Sequence, residues 1–334
     1  MKNLHKSTKR SLSPTSKAEE TMQPKAKKIE VDSDTTKEDT EQTPHDIMKS
    51  LKLIPAVKAI DSHSGTKVQS IDFQIMFKHD VNVAKRLLCI TTAPHVDDLF
   101  NIGTGHVGDF THTKNGSIAH RDYPNCPAIF FIVGISVMSS TMEGEKQRQI
   151  AVLPCDLTWP RGLSLIGKIC HERYLAFWTQ DKGVTFSSLT KTGKEPTGST
   201  AHEGDEEEEE KAPTASSKLL KWNEHIPTFD GKKPFCLEDY WKLPKINDEI
   251  ENGTPVLVFF TASTYEYKGT AHNRELRKNA SMNAKAIVLL ANSPDSYQHG
   301  EKPPTANYSE KDLGIMTVKP LKESKVAGTK SKMV

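Results

Sequence analysis

Apolar and polar residues alternate most regularly at positions 173–189, RYLAFWTQDKGVTFSSL. Tyr174, Ala176 and Trp178 alternate with Leu175, Phe177 and Thr179. Gln180, Asp181, Lys182 and Gly183 supply a turn, and Val184, Phe186 and Ser188 resume the alternation. A two-residue period on both sides of a short Gly-containing turn predicts a β-hairpin. It places aromatic side chains on a sheet bordered by lysines.

Strand-like patterning continues along the chain. Val68, Ile71, Phe73, Ile75 and Phe77, and then the run 86–91 (RLLCIT), predict strands. The most apolar run, 127–138 (PAIFFIVGISVM), predicts a buried central strand in which Gly134 marks a bulge or a close approach. Further strands are expected at 149–157, 163–170, 255–262 (PVLVFFTA) and 286–291 (AIVLLA), with Arg274, Arg277, Lys278 and Lys285 in a polar connector before the last. Helical signals are few: a short segment at 47–60 broken at Pro55, and a turn or two from Cys236 to Trp241 stopped by Pro244. Residues 94–125, rich in Gly and His, predict a long mobile loop able to touch phosphate through Lys114, His120 and Arg121.

Short strands bounded by turn residues predict a mostly β or α+β fold built on an antiparallel barrel or sandwich. An OB-like Greek-key barrel is preferred because of the function inferred below. The expected organisation is a disordered tail at 1–50, a first part of the β-rich core at 51–189, a disordered acidic insert at 190–217, a second part of the core at 218–318, and a basic disordered tail at 319–334. The tails and insert are too poor in large apolar residues to offset the entropy of ordering them.

Composition sharpens this picture only where it is uneven. The apolar fraction of 35% is low, and the shortfall lies in those terminal and internal segments. Net charge is +2, which by itself says nothing about nucleic acid; its distribution does. Residues 1–28 hold eight Lys or Arg against two Glu, while 30–46 hold seven acids against one Lys. Lys9-Arg10 and the cluster of Lys25, Lys27 and Lys28 are spaced like a bipartite nuclear-import signal, which would engage an import receptor. Five widely spaced cysteines without a CxxC read as reduced core thiols of an intracellular protein. No apolar run is long enough to span a membrane, and the amino terminus lacks the apolar stretch of a secretory signal.

Aromatic residues interleaved with cations are the chemistry of single-strand binding: bases stack on ring faces while Lys and Arg follow the phosphates. The candidates are Tyr174 and Trp178 beside Arg173 and Lys182, Trp222 beside Lys221, Trp241 beside Lys242, and Tyr265 and Tyr267 followed by Arg274, Arg277 and Lys278. The acidic run from Asp205 and Glu206 to Glu210 would compete with nucleic acid for a basic groove, or dock basic partners such as histones or replication proteins.

A second constellation is Asp61, His63, His95, Asp97, Asp98, His106, Asp109, His112, His120 and Asp122, residue types that bind metals. Asp61-Ser62-His63 and the Gly108-Asp109 element resemble the DxH and GDxxx blocks of calcineurin-type metallophosphoesterases, but no GNH(D/E) or GHxH block follows. There is no phosphate-binding GxxxxGK(S/T), no dinucleotide GxGxxG and no GxSxG nucleophile turn. The expectation is therefore a protein without a cofactor and without catalysis, with a metal-dependent phosphoesterase as a third alternative.

Lys9-Arg10-Ser11-Leu12-Ser13, followed by the second basic cluster, resembles the amino terminus of the nuclear single-stranded-DNA-binding proteins of large insect DNA viruses of the baculovirus type. The resemblance implies nuclear single-stranded DNA binding in replication and a viral setting; no binding residue is carried over from it. The alternative expectation is a structural or interaction protein, histone-chaperone-like or a virion component, working through its acidic run.

Overall fold

A computed structural model describes residues 48–72, 81–142, 147–188, 219–267 and 277–294 of the chain. In chain order its elements are β1 (Lys58–Asp61), α1 (Val81–Thr92), β2 (Leu99–Asn101), β3 (Phe110–His112), β4 (Ile118–His120), β5 (Ile129–Ser140), β6 (Gln149–Pro154), α2 (Trp159–Cys170), β7 (Tyr174–Phe177), β8 (Thr179–Gln180), β9 (Gly183–Ser187), β10 (Thr228–Asp230), β11 (Pro255–Tyr267) and β12 (Arg277–Leu289). Val107–Asp109 and Leu237–Lys242 form 3₁₀ turns.

Five strands close on themselves. β5 pairs with β6, β6 with β9, β9 with β12, β12 with β11, and β11 with β5. Every contact is antiparallel except β9 with β12. The third barrel strand thus lies beside the fifth and the fourth returns to the first, an OB-like Greek-key barrel. β7 and β1 extend the sheet past β12, and β2 and β10 add short parallel edges. Barrel strands come from both sides of the 190–217 insert, so one sheet unites the two halves of the chain.

Alternation decides what fills the barrel. Phe130, Ile132, Ile150, Val152, Val184, Phe186, Val258 and Phe260 point inward, where Leu175, Phe177 and the apolar face of α2 meet them. The outer face of β5, β11 and β12 is covered separately by α1 and the Leu237–Lys242 turn, with Tyr240 stacked on Phe259 at 4.3 Å between centroids. Ile71 covers a smaller patch of Ile135, Val137, Ala151 and Leu153. Gly134 is a close approach: a Cβ there would strike the Leu153 carbonyl and Val152.

Five expectations are corrected. The run 86–91 is the end of a helix, not a strand, because Ala84, Leu87, Leu88, Thr91 and Thr92 are its buried residues, at i, i+3, i+4, i+7 and i+8. The stretch 163–170 is likewise helical, with Trp159, Gly162, Leu163, Ile166, Gly167 and Cys170 on one stripe. The expected connector is strand from Arg277 onward, carrying Lys278 and Lys285 and pairing with β11 from Tyr267↔Arg277 to Val256↔Leu289. The Gly- and His-rich loop holds β2 and the β3–β4 hairpin, pinned to the barrel where Thr264 donates its N–H to the Gly116 carbonyl at 2.7 Å. Among the cysteines, Cys155 and Cys170 are buried, whereas Cys126 and Cys236 are exposed thiols rather than core ones; all five are free. No helix among the described residues is long and apolar enough to cross a membrane.

Candidate nucleic-acid interface

Of the expected 173–189 hairpin only the tip forms: Thr179 and Gln180 pair with Val184 and Gly183, whereas Tyr174–Phe177 pairs with β1 and β12 instead of β9. Asp181 and Lys182 at its tip have φ of 46° and 68°, the pair of left-handed residues that a two-residue type I′ turn needs. Leu175 and Phe177 enter the barrel core, so Tyr174, Ala176 and Trp178 lie on the other face; Tyr174 and Trp178 are exposed there, while Ala176 is 2% exposed. Register then gathers the aromatics: Tyr265 pairs with Asn279, and Asn279 with Ala176. Tyr265 thus stands two strands, about 10 Å, from the β7 position flanked by Tyr174 and Trp178. Tyr174, Trp178 and Tyr265 are 57%, 49% and 50% exposed. These three rings are half in water and so are not core.

Cations surround them. The Lys58 ammonium lies 5.6 Å from the Tyr174 ring centre, and Lys58 pairs with Tyr174 across β1 and β7. Arg173, Lys67 and Lys182 are exposed nearby in the sheet, and Asp181 and Glu266 are exposed acids on the same elements. An open cleft of about 440 Å³ runs beside Trp178, lined by Asp61, His63, Gln180, Lys67 and Lys182 among others. The edge of His63 meets the Trp178 ring at 4.4 Å between centroids, 88° apart. Asp61 holds that turn: it accepts hydrogen bonds from the His63 N–H (3.0 Å), the Ser64 N–H (2.5 Å) and hydroxyl (2.8 Å), and the Thr179 hydroxyl. Burial acts to raise the Asp61 pKa, but these hydrogen bonds outweigh it and hold the carboxyl below its ordinary value. The carboxylate is thus a fixed strut between the β1 turn and the hairpin, not a free acid.

The other candidates lie elsewhere. Lys278 is ion-paired with Glu172 at 2.9 Å, and the hydrogen bond it donates to Glu172 raises its pKa. Tyr267 and Arg277 are cross-strand partners at the end of the β11–β12 ladder. Trp222 is half-buried, its carbonyl accepting from the Arg148 N–H and the Ser188 hydroxyl. Trp241 packs on the outer apolar cluster beside Tyr240, with the Lys242 ammonium 5.1 Å above its ring. Arg274, the import-like clusters (Lys9, Arg10, Lys25, Lys27, Lys28) and the acidic run at 205–210 lie outside the described residues.

The His/Asp constellation is dispersed. Among the described residues no group of three His, Cys, Asp or Glu could hold a metal ion. His112 Nε2 meets the Thr264 hydroxyl at 2.9 Å, and His120 stacks on Phe100 at 5.2 Å. The residues that sequence reasoning missed are Lys58 and Lys67; only the parallel β1–β7 pairing brings them to the aromatics.

No known protein family, curated protein or solved structure matches the chain.

Proposed function

We propose that this protein is a non-catalytic, sequence-tolerant binder of single-stranded nucleic acid, DNA in the first instance, that works in the nucleus in DNA replication. One observation carries the reading: three of the aromatics that the sequence singled out stand half-exposed on one outer face of an OB-like barrel, ringed by Lys58, Lys67, Arg173 and Lys182. Flat rings accept any base, and flexible cations accept any phosphate spacing, so the arrangement favours affinity without sequence preference. The nuclear and replicative parts of the reading rest on the amino-terminal basic clusters and their resemblance to the baculovirus-type proteins.

Fluorescence anisotropy with a labelled strand of roughly 30 nucleotides, longer than the ~4–16 nucleotides one OB fold covers, tests the reading against the matching duplex. The single strand is expected to bind more tightly. Engagement of four phosphates by the four cations gives a log–log salt slope of about −3. Absence of binding at low salt, or preference for the duplex, would remove the proposal. A fluorescent fusion tests the nuclear part. Alanines at Lys9, Arg10, Lys25, Lys27 and Lys28 together are expected to move it from nucleus to cytoplasm, and unchanged nuclear signal would refute import by these clusters.

A further inference from the structure

The first turn of α2 opens onto a second recess, a groove of about 710 Å³ walled by Leu53, Ile54, Val57, Trp159 and Leu163. Leu53 is 95% exposed at its lip. Lys58, Lys67 and Arg161 also line it, and among the described residues no acidic residue does. Arg161 is fixed in place by donating to the carbonyls of Lys52 at 2.5 Å and Gly105 at 3.2 Å. Helix α2 starts with no acid in its first turn and no side-chain cap from Thr158, so the positive end of its dipole is uncompensated. Trp159 is 2% exposed, and its buried indole N–H has no acceptor among the described residues. Buried tryptophan N–H groups ordinarily find one.

These features specify an occupant in two respects. The walls take aliphatic or aromatic side chains, and the cations and the helix end take carboxylates. We propose that the groove docks an acidic peptide segment of a partner protein, one that sets large apolar side chains between Asp or Glu residues. A nucleic-acid strand brings the charge but no aliphatic groups for the walls. The docking stands independently of nucleic-acid binding, but the two are linked. Lys67 lines both the groove and the Trp178 cleft, and Lys58 serves both the groove and the Tyr174 ring. A docked acidic peptide draws on the same charges as the phosphates, so the two ligands oppose each other.

Selection of phage-displayed short peptides on the full chain, with L53D as the counter-target, tests this. Enriched sequences are expected to combine Asp or Glu with Leu, Phe or Trp. A fluorescein-labelled synthetic copy is expected to bind the wild type at least about tenfold more tightly than L53D. Thermal melts check folding; L53D is expected to melt with the wild type because Leu53 stands in solvent. Selection that yields only basic or uncharged peptides, or equal binding to L53D, would overturn the proposal. So would Leu53-dependent binding of phosphatidylserine vesicles or single-stranded DNA in place of peptide. L53D leaves Tyr174, Trp178 and Tyr265 intact, so its affinity for the single strand is read separately and failure of one proposal is not failure of the other.

Discussion

Alanine at Tyr174, Trp178 and Tyr265 together is expected to weaken single-strand binding by at least a hundredfold, about 3 kcal/mol, if each ring stacks one base at ~1–3 kcal/mol. Loss of fold does not explain such an effect. The three side chains are half in water, and their inward neighbours Leu175, Phe177 and Thr264 are untouched. Truncating partly exposed rings lowers the melting temperature by only a few degrees, on the scale of roughly 2–4 °C per kcal/mol for a domain of this size. Trp178 also supplies an internal reporter. Of the four tryptophans, Trp159 is buried and Trp222 and Trp241 are half-buried, so Trp178 is the one most open to solvent. Emission quenching on binding is expected to disappear in W178F while the other three still fluoresce. Unchanged affinity in a folded triple variant would sink the face as the binding surface.

How much of this was readable in advance differs element by element. The hairpin tip was legible because two signals agree there: a two-residue period and a turn whose residues tolerate left-handed backbone. The barrel strands 127–138 and 255–262 were legible as apolar runs too dense for an exposed surface. The two helices were not. The six residues RLLCIT carry Ile and Thr and look like a strand in isolation; the helical period appears only when Ala84 and Thr92 are included, and polar Asn82, Lys85 and Arg86 interrupt it. The first half of β12 was lost for the opposite reason. Its inward residues are Ala280, Met282 and Ala284, small or flexible side chains with weak strand preference, so packing against β11 rather than propensity makes it a strand. For the site, residue type identified the aromatics but not their exposure. Trp222 and Trp241 looked the same as Trp178 in sequence. Lys58 and Lys67 lie more than a hundred residues from Tyr174 and reach it only through a parallel pairing that no local pattern encodes.

Lys285 shows what that misreading concealed. Phe259 pairs with Ala286 and Phe260 with Ala284, so Lys285 is the extra residue of a β-bulge, and it is 1% exposed. Burial pushes its ammonium down to about 8, with the Glu224 carboxylate pulling part-way back. The folded-state value lies below that of the unfolded chain, so between about pH 8 and 10.5 the unfolded chain still holds a proton that the folded one has released. Stability therefore rises with pH across that window, and below it the full penalty of a buried charge is present, about 3 kcal/mol. Substitution K285M is expected to raise stability at pH 7 by about that amount, roughly 6–12 °C in melting temperature. It is also expected to flatten the rise between pH 8 and 10.5 that the wild type shows in urea titrations. Removing one partner of a buried pair is ordinarily destabilising because the other charge is stranded. Here Glu224 is itself exposed, so water takes over its solvation when the lysine is gone. Parallel pH–stability curves for the two proteins, or a less stable K285M at pH 7, would show that the attraction to Glu224 outweighs desolvation at the bulge.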